Sequence, residues 1–232
     1  MHSEYLFNND TQEISNRVCE MASSNEPALR AHCQEVSRQT DTSSLALREE
    51  CIAKSNAARA ILQEISALAE ELSKALARDG GVFGVQNGQA VFPAVCRAVV
   101  QIEERRLSLV SCISQLTQVR RKVASSVAEA NRALHVLSLA KRAAMEDAKE
   151  DYAQMIRYTE LSYERLKALD FAVCEMQTFY MTLVESHLSV FMQRMRAAGD
   201  FNYGGKELDC GEIRLLCREL IILVNRAPNI TF

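Results

Sequence analysis

PAVCRAVVQIEERRLSLVSCISQLTQVRRKVASSVAEANRALHVLSLAKR (93–142) contains no glycine and, after Pro93, no proline, and the same holds onward to Ala198. Glycine and proline disfavour a helix interior by about 1 and 3 kcal/mol relative to alanine. The whole stretch from Pro93 to Ala198 is therefore predicted to be helical, with the rest of the chain packed against it.

Its apolar positions alternate between spacings of three and four: Val95, Val99, Ile102, Arg106, Leu109, Ile113, Leu116, Arg120, Val123, Val127, Ala130, Leu134, Leu137 and Lys141. This is a heptad stripe, which keeps one seam of a helix facing a partner. Arg106, Arg120 and Lys141 make three seam positions basic. Beyond Lys141 the stripe changes phase, to Met145, Ala148, Tyr152, Met155, Thr159, Leu166, Leu169, Val173, Met176, Tyr180, Leu183, His187 and Val190. A four-residue stutter produces such a shift. One unbroken helix of this length would run roughly 150 Å at the helical rise, too long for the remaining chain to cover. A reversal is expected within 138–151, where Lys141–Asp151 is most polar; a kinked continuous helix is the alternative.

The flanks extend this pattern. Asn25-Glu26-Pro27 has the form of a helix start, with asparagine capping and proline in the first turn. Residues 39–44 (QTDTSS) interrupt the periodicity and are read either as a loop or as a second N-cap. From Leu45 to Arg78 the period is clear at Cys51, Ser55, Ala58, Leu62, Ile65, Ala69, Leu72 and Leu76, and Asp79-Gly80-Gly81 closes it. The glycine-rich stretch 79–92 is apolar at Val82, Phe83, Val85, Val91 and Phe92. A core plug is the ordinary reading, and a hydrophobic tongue meeting membrane or partner is the sharper one. Gly199–Gly205 forms a second loop, and residues 209–226 a short helix apolar on nearly all sides, expected to be buried in this chain or against another.

With eight glycines, three prolines and no tryptophan in 232 residues, the fold class expected is all-α. It is an elongated bundle of long antiparallel coiled-coil-like helices at about 45–78, 93–140 and 150–198, with a short C-terminal helix and residues 1–44 as an N-terminal helical or loop segment. The opening MHSEYLFNNDTQEISN lacks the basic and apolar regions of a signal peptide, and no apolar run reaches the roughly eighteen residues of a spanning helix. A cytoplasmic protein, peripheral to membranes if it meets them, is the expectation. Eight cysteines without a C-x-x-C pair are read as reduced core residues.

No catalytic signature stands out. Gly199–Glu207 (GDFNYGGKE) superficially follows a phosphate-loop spacing, but the lysine falls one place late, glutamate replaces the magnesium-binding hydroxyl, and a helix precedes it. His2, His32, His135 and His187 are scattered, with no Glu-x-x-His for a di-metal bundle; His187 is read as a satisfied core residue. Glu146/Glu150 and Asp147/Asp151 are read as a solvated face at a turn. No cofactor, metal or enzymatic activity is expected.

Charge is unevenly placed. The net charge is −3, yet residues 93–142 hold nine Lys/Arg against three Glu, while 1–78 and 143–232 each sit at −4. The candidate lipid- or partner-binding residues are Arg105, Arg106, Arg120, Arg121, Lys122, Arg132, Lys141 and Arg142, joined by a contacting loop of Val82, Phe83, Val85 and Phe92. Nucleic acid is not expected as a partner, because aromatics do not interleave with the cations.

Three long amphipathic helices with a phase break near a polar tip resemble the BAR superfamily. The local likeness is Leu166–Phe191, where an apolar run leads to Gln177 and the pair Phe179–Tyr180, as in the last BAR helix. The resemblance covers about residues 45–198. It implies an antiparallel homodimer with a basic concave face from Arg97 to Arg142, and the acidic net charge would suit a member that binds partners more than lipid. Three functions follow in order: a non-enzymatic helical dimer on anionic or curved membrane, a coiled-coil scaffold binding another helical protein without lipid, and a membrane-inserting helical toxin acting through the 79–100 segment.

Overall fold

The computed structural model describes residues 2–78, 85–200 and 210–227, with side chains for 12–77, 95–196 and 211–227. Among these, every regular element is helical. They are α1 (His2–Ser24), α2 (Glu26–Arg78), α3 (Val85–Ala143), α4 (Lys149–Thr182), a π-helical stretch (Leu183–Leu188), α5 (Ser189–Asp200) and α6 (Cys210–Asn225). The all-α bundle expected from composition is what forms. The chain packs as two compact units, residues 1–50 with 119–171 and residues 51–118 with 172–232. Residues 2–44 share the first unit with parts of α3 and α4.

In the first unit, Asn25 caps α2: the Ala28 N–H donates to Asn25 Oδ1 at 3.2 Å, satisfying one of the orphan donors of a helix start. Residues 39–44 continue the helix instead of breaking it. Their hydroxyls bond back to the preceding turn, Thr40 to the Val36 carbonyl and Thr42 to the Arg38 carbonyl, both at 2.9 Å. Asp41 and its neighbour Ser37 bind α4. Ser162 and Arg165 each donate to Asp41 Oδ1 at 2.9 Å, and the buried Thr159 hydroxyl donates to Ser37 Oγ at 3.0 Å. The loop-like composition supplies polar contacts to α4 at the half-buried edge of the helix pair. Together with the Arg30–Asp151 ion pair, these contacts set α2 and α4 parallel.

α3 and α4 meet in the opposite sense, through Arg120 and Asp170, and are joined by a tight turn at 144–148. The turn uses no glycine. Its Ala148 N–H donates to the Met145 carbonyl at 3.1 Å, while Met145 itself is 77% exposed. Charges complement the two helix ends: Lys141 and Arg142 in the last turn of α3, Glu150 and Asp151 in the first of α4. Val18 of α1, Leu29 and Cys33 of α2, Leu137 of α3 and Tyr152 of α4 share one hydrophobic cluster.

In the second unit, Glu64 of α2 pairs with Arg105 of α3 at 2.6 Å, and Gln177 of α4 donates to Thr117 of α3 at 2.9 Å. The Tyr180 hydroxyl, fully buried, meets Ser55 of α2. Leu62, Ile65, Leu76, Ile102, Leu109 and Leu116 are fully buried, each contributing about 1.5–3 kcal/mol. Ile213, Leu216, Cys217, Leu220 and Val224 of α6 are buried as well, whereas Leu215 and Ile222 face outward, so α6 is covered on one side and open on the other.

Several boundaries differ from expectation. α2 begins at Glu26 rather than 45, because the Thr40, Thr42 and Ser44 hydroxyls bond back to carbonyls of the same helix. α3 begins at Val85, so Pro93 lies inside it rather than at its first turn. The buried positions of α3 are Val95, Ala98, Ile102, Leu109, Cys112, Leu116, Val119, Val123, Ala130, Ala133, Leu137 and Ala140. One half of the expected stripe is correct. The other half, from Val99 to Lys141, is displaced by one residue, and each of its members is half-buried. The true series carries Ala98, Cys112, Ala133 and Ala140, small side chains that let neighbouring helices approach closely. Arg106, Arg120 and Lys141 flank the seam, with stems against it and charges toward water.

His187 is corrected likewise. At Ser189 both the backbone N–H and Oγ donate to the Val184 carbonyl, five residues back. That π turn inserts one residue into the period, so Leu188 takes the buried place and His187 is exposed.

Replacing Asp41 by alanine leaves the buried Ser162 without its acceptor on α2 and Arg165 unpaired. Allowing for the half-exposed ion pair, a loss of about 1–2 kcal/mol is expected, read as a lowered urea midpoint. An unchanged midpoint would show that these polar contacts are not stabilising.

Candidate functional site

The eight candidate cations divide into two groups. Four are engaged within the fold. Arg105 binds Glu64, and Arg106 grips Glu103 through Nε and Nη2 at 2.8 and 2.7 Å. That hydrogen-bonded pairing holds the Glu103 carboxyl below the usual carboxylate range. Arg120 lies 3.6 Å from Asp170, and Lys122 donates to both oxygens of Glu50 at 2.8 and 3.0 Å. Arg105, Arg120 and Lys122 tie α3 to its neighbours, and Arg106 is held within α3.

Arg121, Arg132, Lys141 and Arg142 have no ion-pair partner among the described residues. Arg121, Ala128, His135 and Arg142 are spaced by seven, on the side of α3 opposite the buried seam, and all four are exposed. Arg132 lies beside this line and is exposed too. From 121 to 143 the sequence contains one acidic residue, Glu129, and Ala124, Ser125, Ala128 and Asn131 between the cations are short. The result is an outward basic face in the first unit that low side chains leave accessible. Apart from the local Glu103–Arg106 spacing, sequence groups the cations alike; the carboxylates that α2 and α4 present separate the remaining paired ones from the unpaired.

Of the expected contacting loop, Val82 and Phe83 lie outside the described residues. Val85 and Phe92 fall within α3, but their side chains lie outside the description, as does the 201–209 segment that contains the GGKE sequence. Gln177, Phe179 and Tyr180 are placed in α4. Gln177 is held by Thr117, and the rings of Phe179 and Tyr180 meet edge to face, with centroids 5.7 Å apart.

A second class of surface was not anticipated. Tyr158, Leu161 and Phe171 on the outward side of α4 are 65, 56 and 66% exposed, and Val100, Leu107 and Val110 of α3 are exposed in the second unit. The seam search discards such residues, since a stripe that faces solvent has the same composition as one that faces a core.

Among the described residues no group of three His, Cys, Asp or Glu side chains could hold a metal ion, and no helix is long and apolar enough to cross a membrane. No family model, curated protein or solved structure matches the chain.

None of the described cysteines is joined in a disulfide. Burial pushes the Cys33 thiol up to about 11 and the Cys217 thiol up to about 12, while Cys19 and Cys96 are exposed. Because the thiolate is the reactive species, a thiol reagent at neutral pH is expected to label Cys19 and Cys96 first and Cys33 and Cys217 only on unfolding. Raised folded-state values also give stability that is complete below the unfolded pKa near 9 and is lost as pH rises toward 11–12. Labelling of native Cys217 as fast as Cys96, followed by mass spectrometry, would contradict the packing of α6.

Proposed function

We propose that the protein is a non-enzymatic helical scaffold that docks as a homodimer on anionic membrane surface, using the outward face of α3 in its first unit. One observation carries this reading: among the described residues Arg121, Arg132 and Arg142 on this face, and Lys141 at its edge, have no ion-pair partner in a segment with a single acidic residue, while the neighbouring Arg105, Arg106, Arg120 and Lys122 are engaged. The up-down-up helix path within each unit and the likeness of Leu166–Phe191 to the last BAR helix support it. A cation near an anionic leaflet contributes about 1 kcal/mol, so four contribute about 4 kcal/mol, equivalent to roughly millimolar affinity. One copy is too weak to stay bound. Two faces presented together reach about the micromolar range, which is why the dimer belongs to the proposal.

A second reading rests on a different observation, the outward Tyr158, Leu161 and Phe171. In it the chain is a coiled-coil scaffold for another helical protein, and lipid plays no part.

Co-sedimentation with anionic vesicles tests the choice. The quadruple charge reversal R121E/R132E/K141E/R142E is expected to abolish binding with helicity unchanged, and R105Q/R106Q to leave it nearly intact. Binding that survives the quadruple reversal, or a parent protein that never sediments with anionic vesicles, would reject the membrane reading and leave the scaffold one.

A further inference from the structure

In the first unit, α2 and α3 do not close against each other along their whole length. Ser43 of α2 and Ser126 and Ala130 of α3 are short, and between them lies a cleft of about 300 Å³ floored by Leu166 of α4. Its polar groups differ from those of a gap left by packing. Arg132, without an ion pair among the described residues, stands on the wall together with Glu129 and Gln39. The Ser43 and Ser126 hydroxyls have no hydrogen-bond partner among the described residues. Gln39 donates its amide to Glu35 at 2.7 Å, which leaves its Oε1 as an acceptor. Glu129 accepts from Ser125 through one oxygen at 3.2 Å and keeps the other.

We propose that this cleft binds a phosphorylated polyol, with Arg132 on the phosphate and Glu129, Gln39, Ser43 and Ser126 on the hydroxyls. The lining selects this class. A guanidinium pairs with phosphate through parallel N–H donors. A bare phosphate would meet the Glu129 carboxylate and be repelled, whereas polyol hydroxyls donate to that carboxylate and to the Gln39 carbonyl. A nucleotide is disfavoured because the lining holds no aromatic side chain on which a base could stack. A volume of about 300 Å³ lies at the small end of ligand sites and accommodates a head group. The same chemistry occurs on a phosphoinositide or phosphoglycerol lipid and on a free sugar phosphate. The lipid source rests on the membrane reading above, since Arg132 also belongs to the outward basic face.

Calorimetric titration of the full chain with myo-inositol monophosphate, with inositol and inorganic phosphate as controls, tests the site directly. Binding of the joined molecule is expected, with either half weaker by about tenfold or more, the loss that follows from removing a charge-assisted hydrogen bond. S126L/A130L, which fills the cleft, is expected to abolish it. R132Q, on the surface and harmless to packing, is expected to do the same should the filled variant lose helicity. No heat with inositol monophosphate, or an affinity unchanged in R132Q, overturns the proposal. A parallel arm compares vesicles carrying phosphatidylinositol with vesicles carrying phosphatidylserine at equal charge. Preference for the former assigns the ligand to lipid. Soluble binding with neither vesicle bound assigns it to a free sugar phosphate, and then the membrane reading fails while the cleft stands.

Discussion

The carboxylate of Asp41, accepting from Ser162 and Arg165 across α2 and α4, is the contact on which the first unit depends. Long heptad helices can slide by seven residues and still bury apolar side chains, so apolar packing alone does not fix register. Polar contacts do, because any other register leaves the buried Thr159, Ser162 and Ser55 hydroxyls without their partners across the helices, at about 1–3 kcal/mol for each buried group left unpaired. The first unit uses Ser37, Asp41, Thr159 and Ser162. The second uses Ser55 against Tyr180 and Thr117 against Gln177. Each unit has its own polar contacts, and each set ties α4 to a neighbouring helix.

That arrangement explains what periodicity reveals and what it conceals. From Cys51 to Leu76 every position of the expected stripe in α2 is buried, because there the apolar set is unambiguous. In α3 alanine and cysteine occupy five of the twelve buried seam positions, and Val99, Ile113 and Leu134 follow three of these by one residue. A search weighted by hydrophobicity selects the larger side chains, and arginines at the same offset are drawn onto the seam with them. Ser and Thr at 40–44 mislead for a related reason: their preference for turns comes from bonding to local backbone, and the same bonds serve equally well inside a helix when a neighbouring helix supplies the remaining partners.

The basic segment was legible as a composition, but not as a site. Eight cations within forty residues look alike in sequence. Glu50, Glu64, Glu103 and Asp170, carboxylates of α2, α3 and α4, then take four of them, and none of those pairings is implied by a local motif beyond the short Glu103–Arg106 spacing. What remains is a face defined by the lack of neutralising partners. The cleft beside it was invisible for the opposite reason, since Ser43 and Ser126 are unremarkable in sequence and gain meaning only when α2 and α3 bring them together.

The claim that α3 presents this face to an anionic surface is tested most directly by spin labels at two exposed alanines of the first unit, Ala128 on α3 and Ala168 on α4. With anionic vesicles added, the label at 128 should lose accessibility to a water-soluble relaxation agent while the label at 168 keeps it. Equal accessibility at both, with or without vesicles, would contradict the account.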